Sequence, residues 1–219
     1  IWQIIWPVAL IALGIWVLWA TTRGKTDSGE EEHRVVPVEG SKRAEIALDY
    51  GAGEFSVGSG TEPGAILSGD FEGGVETRIH REGDTASVRL SNPSRAFWLP
   101  WTWSASFRHR WSVRLTDQLP LDLTVKVGAS DCRLDLTECR VERLRLDTGA
   151  SSTRVQLPAR AGHTEVTGSS GAASVSVKVP EGVAARIHAS GGVASINVDR
   201  KRFPRQGRVY VSPDYETAE

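Results

Sequence analysis

Residues 121–157 read LDLTVKVGASDCRLDLTECRVERLRLDTGASSTRVQL, and the fold is decided there. Leu123 and Val125 alternate with polar residues before Gly128, and Cys132 and Leu134 do the same after it. The figure repeats around Gly149, with Leu144 and Leu146 before the glycine and Thr153 and Val155 after it. Alternation of period two buries one face of a strand. Each unit therefore reads as a short strand, a glycine corner and a second short strand.

The pattern extends in both directions. Gly128, Gly149, Gly171 and Gly192 follow one another at intervals of 21, 22 and 21 residues, and Gly51 begins an earlier copy. Five positions before each glycine stand Ile46, Leu123, Leu144, Val166 and Ile187. Three before stand Leu48, Val125, Leu146, Gly168 and Ala189. Four after stand Phe55, Cys132, Thr153, Val175 and Ile196, and six after stand Val57, Leu134, Val155, Val177 and Val198. A recurrence near 20 residues predicts stacked coils, each covering the apolar face of the next. A β-sandwich would not keep the same inward offsets around consecutive corners. Glycine at each corner is expected to supply unusual backbone angles and to let stacked turns pass closely. Pro158 and Pro180, nine residues after their glycines, close second strands where no ladder donor is needed.

A long insertion separates Gly51 from Gly128. Within it Trp101, Trp103, Ala105, Phe107, His109, Trp111, Val113 and Leu115 alternate with polar or basic residues. This reads as one long strand, or as a hairpin bent near Ala105. The segment Phe97-Trp98-Leu99-Pro100-Trp101-Thr102-Trp103 has two readings. It caps the open end of the solenoid, or it contacts a partner or the bilayer interface, because tryptophan combines a large apolar body with one polar handle. Trp98, Trp101 and Trp103, together with Arg108 and Arg110 on the opposite face, are the candidate contact residues, and Arg114 continues that basic row.

Ahead of the coils, residues 1–20 read IWQIIWPVALIALGIWVLWA. About 20 apolar residues in a helix span about 30 Å, the thickness of a bilayer core. Trp2, Trp6, Trp16 and Trp19 sit near its two ends, where interfacial aromatics belong. Residues 1–20 are thus expected to form a transmembrane helix, 21–42 a flexible linker, and 43–219 the β-solenoid. Arg23 and Lys25 directly after the helix favour a cytoplasmic domain by the positive-inside bias. The chain contains no methionine and begins inside an apolar run, so it reads as a fragment.

The 219 residues carry 26 basic and 27 acidic side chains, for a net charge of −1. Both signs are interspersed, which argues against nucleic acid as a partner. Cys132 and Cys139 are too few for a disulfide framework and read as buried thiols. His33, His80, His109, His163 and His188 are dispersed without ligand spacing, so no metal site is expected. Ser130, Ser151 and Ser152 sit in Gly-Ala-Ser corners, without a nucleophile elbow or an evident base. Asp131, Asp135 and Asp147 lack the calcium-binding nonapeptide pattern and read as outward positions. No catalytic residue, cofactor or small-molecule substrate is expected.

The helix WPVALIALGIWVLW resembles the membrane segment of the LiaF-like bacterial proteins. The run from Trp111 through Pro158, GAGEFSVGSG at 51–60 and VYVSPDYETAE at the end are similar to their toastrack β-solenoid domain. The resemblance implies an all-β toastrack domain and a membrane protein of the cell-envelope stress response, in some members restraining a sensor kinase. Members commonly carry several membrane helices, and continue past the segment matched by Ser212, Pro213, Asp214 and Tyr215 with another strand. The expected role is a non-enzymatic regulator or scaffold at the bacterial membrane, with a sensor kinase, another membrane protein or a second copy of itself as partner. Two alternatives stay open: a self-assembling bactofilin-like β-helix, and an extracellular adhesin or glycan-binding module.

Overall fold

The computed structural model describes residues 31–93, 109–159, 163–191, 195–197, 201–207 and 209–216. Among them are fifteen strands and no helix long and apolar enough to cross a membrane. The expected anchor at 1–20 lies outside the described residues. The strands are β1 (Glu31–Pro37), β2 (Arg43–Ser59), β3 (Ala65–Glu72), β4 (Glu76–Glu82), β5 (Thr85–Ser91), β6 (His109–Leu115), β7 (Pro120–Asp135) and β8 (Arg140–Thr148). They continue with β9 (Ser152–Gln156), β10 (His163–Ser170), β11 (Ser174–Lys178), β12 (Ala184–Gly191), β13 (Ser195–Asn197), β14 (Arg205–Gln206) and β15 (Val209–Val211).

Each coil contributes one strand to each of two parallel ladders. The first ladder runs β5, the front half of β2, the front half of β7, then β8, β10 and β12. The second runs β6, the back half of β2, the back half of β7, then β9, β11 and β13. β2 and β7 pass through the corner as continuous strands and so belong to both. The inward rows of the two ladders meet in one apolar core. Ile46, Leu123, Leu144, Val166 and Ile187, one from each coil, are all at most 3% exposed. The described residues therefore form an all-β solenoid.

Three features differ from the sequence reading. First, the insertion contains a coil of its own. β5 pairs with the front of β2 and β6 with its back, so this coil stacks on the outer side of β2. β2 is thereby sandwiched between a later coil and β7, and Gly51 meets Gly128 directly. Second, Glu31–Pro37, inside the stretch read as linker, pairs with β3 as an edge strand. Its sequence gives little sign of this, because only Val36 of its side chains is buried. Third, none of Gly51, Gly128, Gly149 and Gly171 has a positive φ. Their role is close passage alone: a Cβ on Gly128 would sit 2.4 Å from the Gly51 carbonyl oxygen. Gly192 lies outside the described residues.

Antiparallel strands close the stack at both ends. β4 lies on β5, β3 on β6 and β1 on β3 at one end; β15 lies on β12, with β14 beyond it, at the other. At the β14–β15 end the Arg202 guanidinium donates to the carbonyls of Val179, Pro180 and Val183 and stacks over Phe203 at 5.1 Å. Edge strands β1 and β4 carry charges of both signs, and β1 ends at Pro37. Such edges resist the addition of another strand.

Candidate interaction surface

Because inward residues alternate with outward ones, the parallel register lines up outward side chains in rows that cross the strands. The first ladder carries three such rows on its outer face. One contains Glu45, Asp122, Arg143, Glu165 and Arg186. Its signs mostly oppose. Arg143 grips Asp122 with both Nε (3.0 Å) and Nη2, and Arg43 reaches the same carboxylate at 3.2 Å. Asp122 is only 13% exposed, so this network is the most desolvated ion pair of the face. The hydrogen bond to Asp122 is the main cause raising the Arg143 pKa. Another row contains Asp49, Lys126, Asp147 and Ser169, whose hydroxyl donates to Asp147.

The row between them holds no carboxylate: Arg78, Arg89, Ala47, Thr124, Arg145, Thr167 and His188. Ala47 and Thr124 are short, and the longer residues around them enclose a trough of about 780 Å³. Arg78 and Arg89 are directly opposite each other on β4 and β5. Like charges so placed are destabilising. Their carboxylate neighbours are loose: Glu76 stands 3.5 Å from Arg78, Asp49 4.0 Å from Arg89, and Asp147 4.0 Å from Arg145. The guanidinium donors of this row are therefore available for a ligand.

The aromatic segment divides. Trp98, Trp101, Trp103 and Arg108 lie outside the described residues. Arg110 is exposed on β6, where its Nε donates to Glu54 at 2.9 Å and its backbone N–H to Glu72 at 3.1 Å. The bond to Glu54 is the main cause raising its pKa. Trp111 turns the other way and is fully buried. Its ring meets Phe71 edge-on at 5.0 Å and Tyr50 at 5.1 Å, while Phe55 stacks on Tyr50 at 5.2 Å. The Tyr50 hydroxyl donates to the His109 carbonyl, and burial pushes its pKa up. Gly53, at φ +124°, makes room for that bond, since a Cβ there would lie 2.2 Å from the same oxygen. The described half of the aromatic strand thus fills the core.

Cys132 and Cys139 are free and buried, and burial is the main cause pushing both thiols up to about 12. Neither forms thiolate at neutral pH. Ser151 lies 3.2 Å from the Thr153 hydroxyl, inside the corner, as a packing residue would. Asp131 and Asp135 face outward; Asp135 accepts from the Thr137 amide and hydroxyl in a local turn. His33 sits between Asp70 (2.5 Å) and Glu62 (3.2 Å), and the bond to Asp70 is the main cause raising its pKa. Among the described residues no group of three histidine, cysteine or acidic side chains could hold a metal.

The middle row is only partly visible in the sequence. Ala47, Thr124, Arg145, Thr167 and His188 each stand four positions before a repeat glycine, but Arg89 and Arg78 join them only once β5 is paired with β2, and no spacing along the chain signals that.

Comparison with known proteins bears on the fold beneath this face. Among solved structures, the chain is similar to one from Clostridium sporogenes ATCC 15579 described as a candidate cell adhesion protein. The two share 19% identity and a TM-score of 0.68, covering 87% of this chain and 91% of that chain. A candidate adhesin from Bacteroides fragilis NCTC 9343 overlaps 76% of this chain and 96% of that chain at 8% identity, with a TM-score of 0.22. No curated protein matches. The profile for the N-terminal domain of toast_rack, DUF2154, matches residues 23–178. Repeated corners, parallel coils and this match over most of its length agree: the chain belongs to the family of the toast_rack N-terminal domain.

Proposed function

We propose that this protein is a membrane-anchored, non-enzymatic regulator or scaffold that works by protein–protein contact at the bacterial cell membrane. In this reading the apolar residues 1–20 are the anchor, Arg23 and Lys25 hold the solenoid on the cytoplasmic side, and the partner belongs to the cell-envelope stress response, such as a sensor kinase. One observation carries the reading: the register displays a continuous row of charged side chains, Glu45, Asp122, Arg143, Glu165 and Arg186, across five coils. Solenoids generally act through extended surfaces of this kind. Cross-linking in native membranes, followed by identification of the captured protein, tests it. A sensor kinase or another envelope protein is the expected partner, and turnover of a metabolite by purified protein would overturn the reading.

A second reading, an extracellular adhesin, is favoured by the likeness to the clostridial candidate cell adhesion protein. It requires the opposite topology. Labelling of a cysteine introduced at the exposed Ser152, with a membrane-impermeant reagent on intact cells, separates the two: labelling supports the adhesin and protection supports the regulator. The bactofilin-like alternative is disfavoured by the charged edge strands β1 and β4.

A further inference from the structure

Resting on the protein-contact reading above and naming the partner's chemistry, we propose that the trough over Ala47 and Thr124 binds an extended peptide segment bearing an acidic residue flanked at two positions on either side by basic ones.

The charge pattern selects this occupant. Arg89 and Arg145 stand at opposite ends of the small-residue floor, on strands three steps apart in the ladder. At a strand spacing of about 4.8 Å that is about 14 Å. A guanidinium reaching inward from each side brackets a single carboxylate placed above the floor, and relieves the repulsion built in by the Arg78–Arg89 juxtaposition. On each side of this basic row the neighbouring rows are net acidic over β2, β7 and β8: Glu45 and Asp122 with Arg143 on one side, and Asp49 and Asp147 flanking Lys126 on the other. These margins repel a continuous polyanion or an anionic membrane, whose charges would fall on them as well. They accept lysine or arginine.

Spacing then selects the conformation. Outward residues on one strand are two positions apart, about 6.6 Å. An extended peptide lying along the strands repeats the same 6.6 Å between alternate side chains. A basic, any, acidic, any, basic sequence therefore sets its acid on Arg89 and Arg145 and its bases on the two margins. Arg89 and Arg145 are 56% and 65% exposed, so replacing them leaves the core untouched.

The test uses the full chain in detergent and a fluorescent peptide containing Lys-Thr-Glu-Thr-Lys. Replacing its central Glu by Gln is expected to weaken binding at least about tenfold, as loss of one bracketed charge pair does. Arg89→Glu with Arg145→Glu is expected to abolish binding of that peptide and to bind a Glu-Thr-Lys-Thr-Glu peptide better than the unaltered chain does. Equal binding of the Glu and Gln peptides overturns the proposal. So does tighter binding of polyglutamate, or of phosphatidylglycerol vesicles, than of the mixed-charge peptide. In membranes, a cross-linked partner that is lost in Arg89→Ala/Arg145→Ala supports the trough. A partner that survives the double substitution leaves the protein-contact reading standing and sinks the trough alone.

Discussion

The two ends of the solenoid share one register but are filled differently. Near β5, β6 and β2 the interior is aromatic, with Trp111, Phe55, Phe71 and Tyr50 in mutual ring contact. Towards β10 and β11 the equivalent positions shrink. The row holding Phe55 continues as Cys132, Thr153 and Val175, and the row holding Leu48 continues as Val125, Leu146 and Gly168. The position before the corner runs Tyr50, Val127, Thr148, Ser170, and the last two hydroxyls are buried without a hydrogen-bond partner. The corners loosen in the same direction. A Cβ on Gly128, Gly149 or Gly171 would meet the preceding carbonyl oxygen at 2.4, 3.0 and 3.4 Å in turn. A fixed period thus sets where side chains point without setting how tightly successive coils are held.

The sharpest challenge to this contrast is deletion of its large side chains. Trp111→Ala and Phe55→Ala are each expected to cost about 4 kcal/mol, the range for emptying a buried aromatic site. Val175→Ala, at the position equivalent to Phe55 but only partly buried, is expected to cost no more than about 1 kcal/mol. Urea denaturation measures all three, and equal costs would erase the distinction between the ends.

Adding a methyl group probes the corners from the other side. Gly128→Ala is expected to destabilise by about 2 kcal/mol, because its new carbon falls well inside contact distance of backbone that cannot yield. At Gly171 the same carbon meets ordinary van der Waals contact, so Gly171→Ala is expected within about 0.5 kcal/mol of the unaltered chain. If both substitutions are silent, close passage is not what selects glycine there.

Hydrogen exchange on the unaltered protein tests the same gradient without mutation. Amides of β10 and β11 are expected to exchange at least about tenfold faster than those of β2 and β7, since opening free energies follow local burial. Uniform protection would mean that the stack opens as one unit.

The smallest expected effect concerns β1, the edge strand beside the aromatic end. His33 is bonded to Asp70 and Glu62 in the folded state, which raises its pKa above 6.5. A group with a raised folded pKa contributes stability that is fully present below its unfolded pKa and is lost as pH rises through the folded one. The attachment of β1 to β3 is therefore expected to weaken as pH rises from about 6.5 through the raised value. Protection of the β1 amides measured between pH 6 and 8 checks this, and His33→Gln is expected to flatten the profile.

Much of this architecture is legible in the amino-acid sequence alone. Ile46, Leu123, Leu144, Val166 and Ile187 correspond by their offset from a glycine, and every one is buried. Two-residue alternation and a repeating corner are local properties: they follow from strand geometry and from the need of each coil to cover the next, so a linear reading finds them. The coil formed by β5 and β6 cannot be found that way. It has no glycine corner to announce it, and it stacks before β2 in space although it follows β2 in sequence. Only the pairing of distant backbones decides that placement, and with it the basic row of Arg78, Arg89 and Arg145 across Ala47 and Thr124. The extension of such a row onto β5 and β4, outside the repeat, is a product of register, and register there is a relation between strands that neither strand encodes alone.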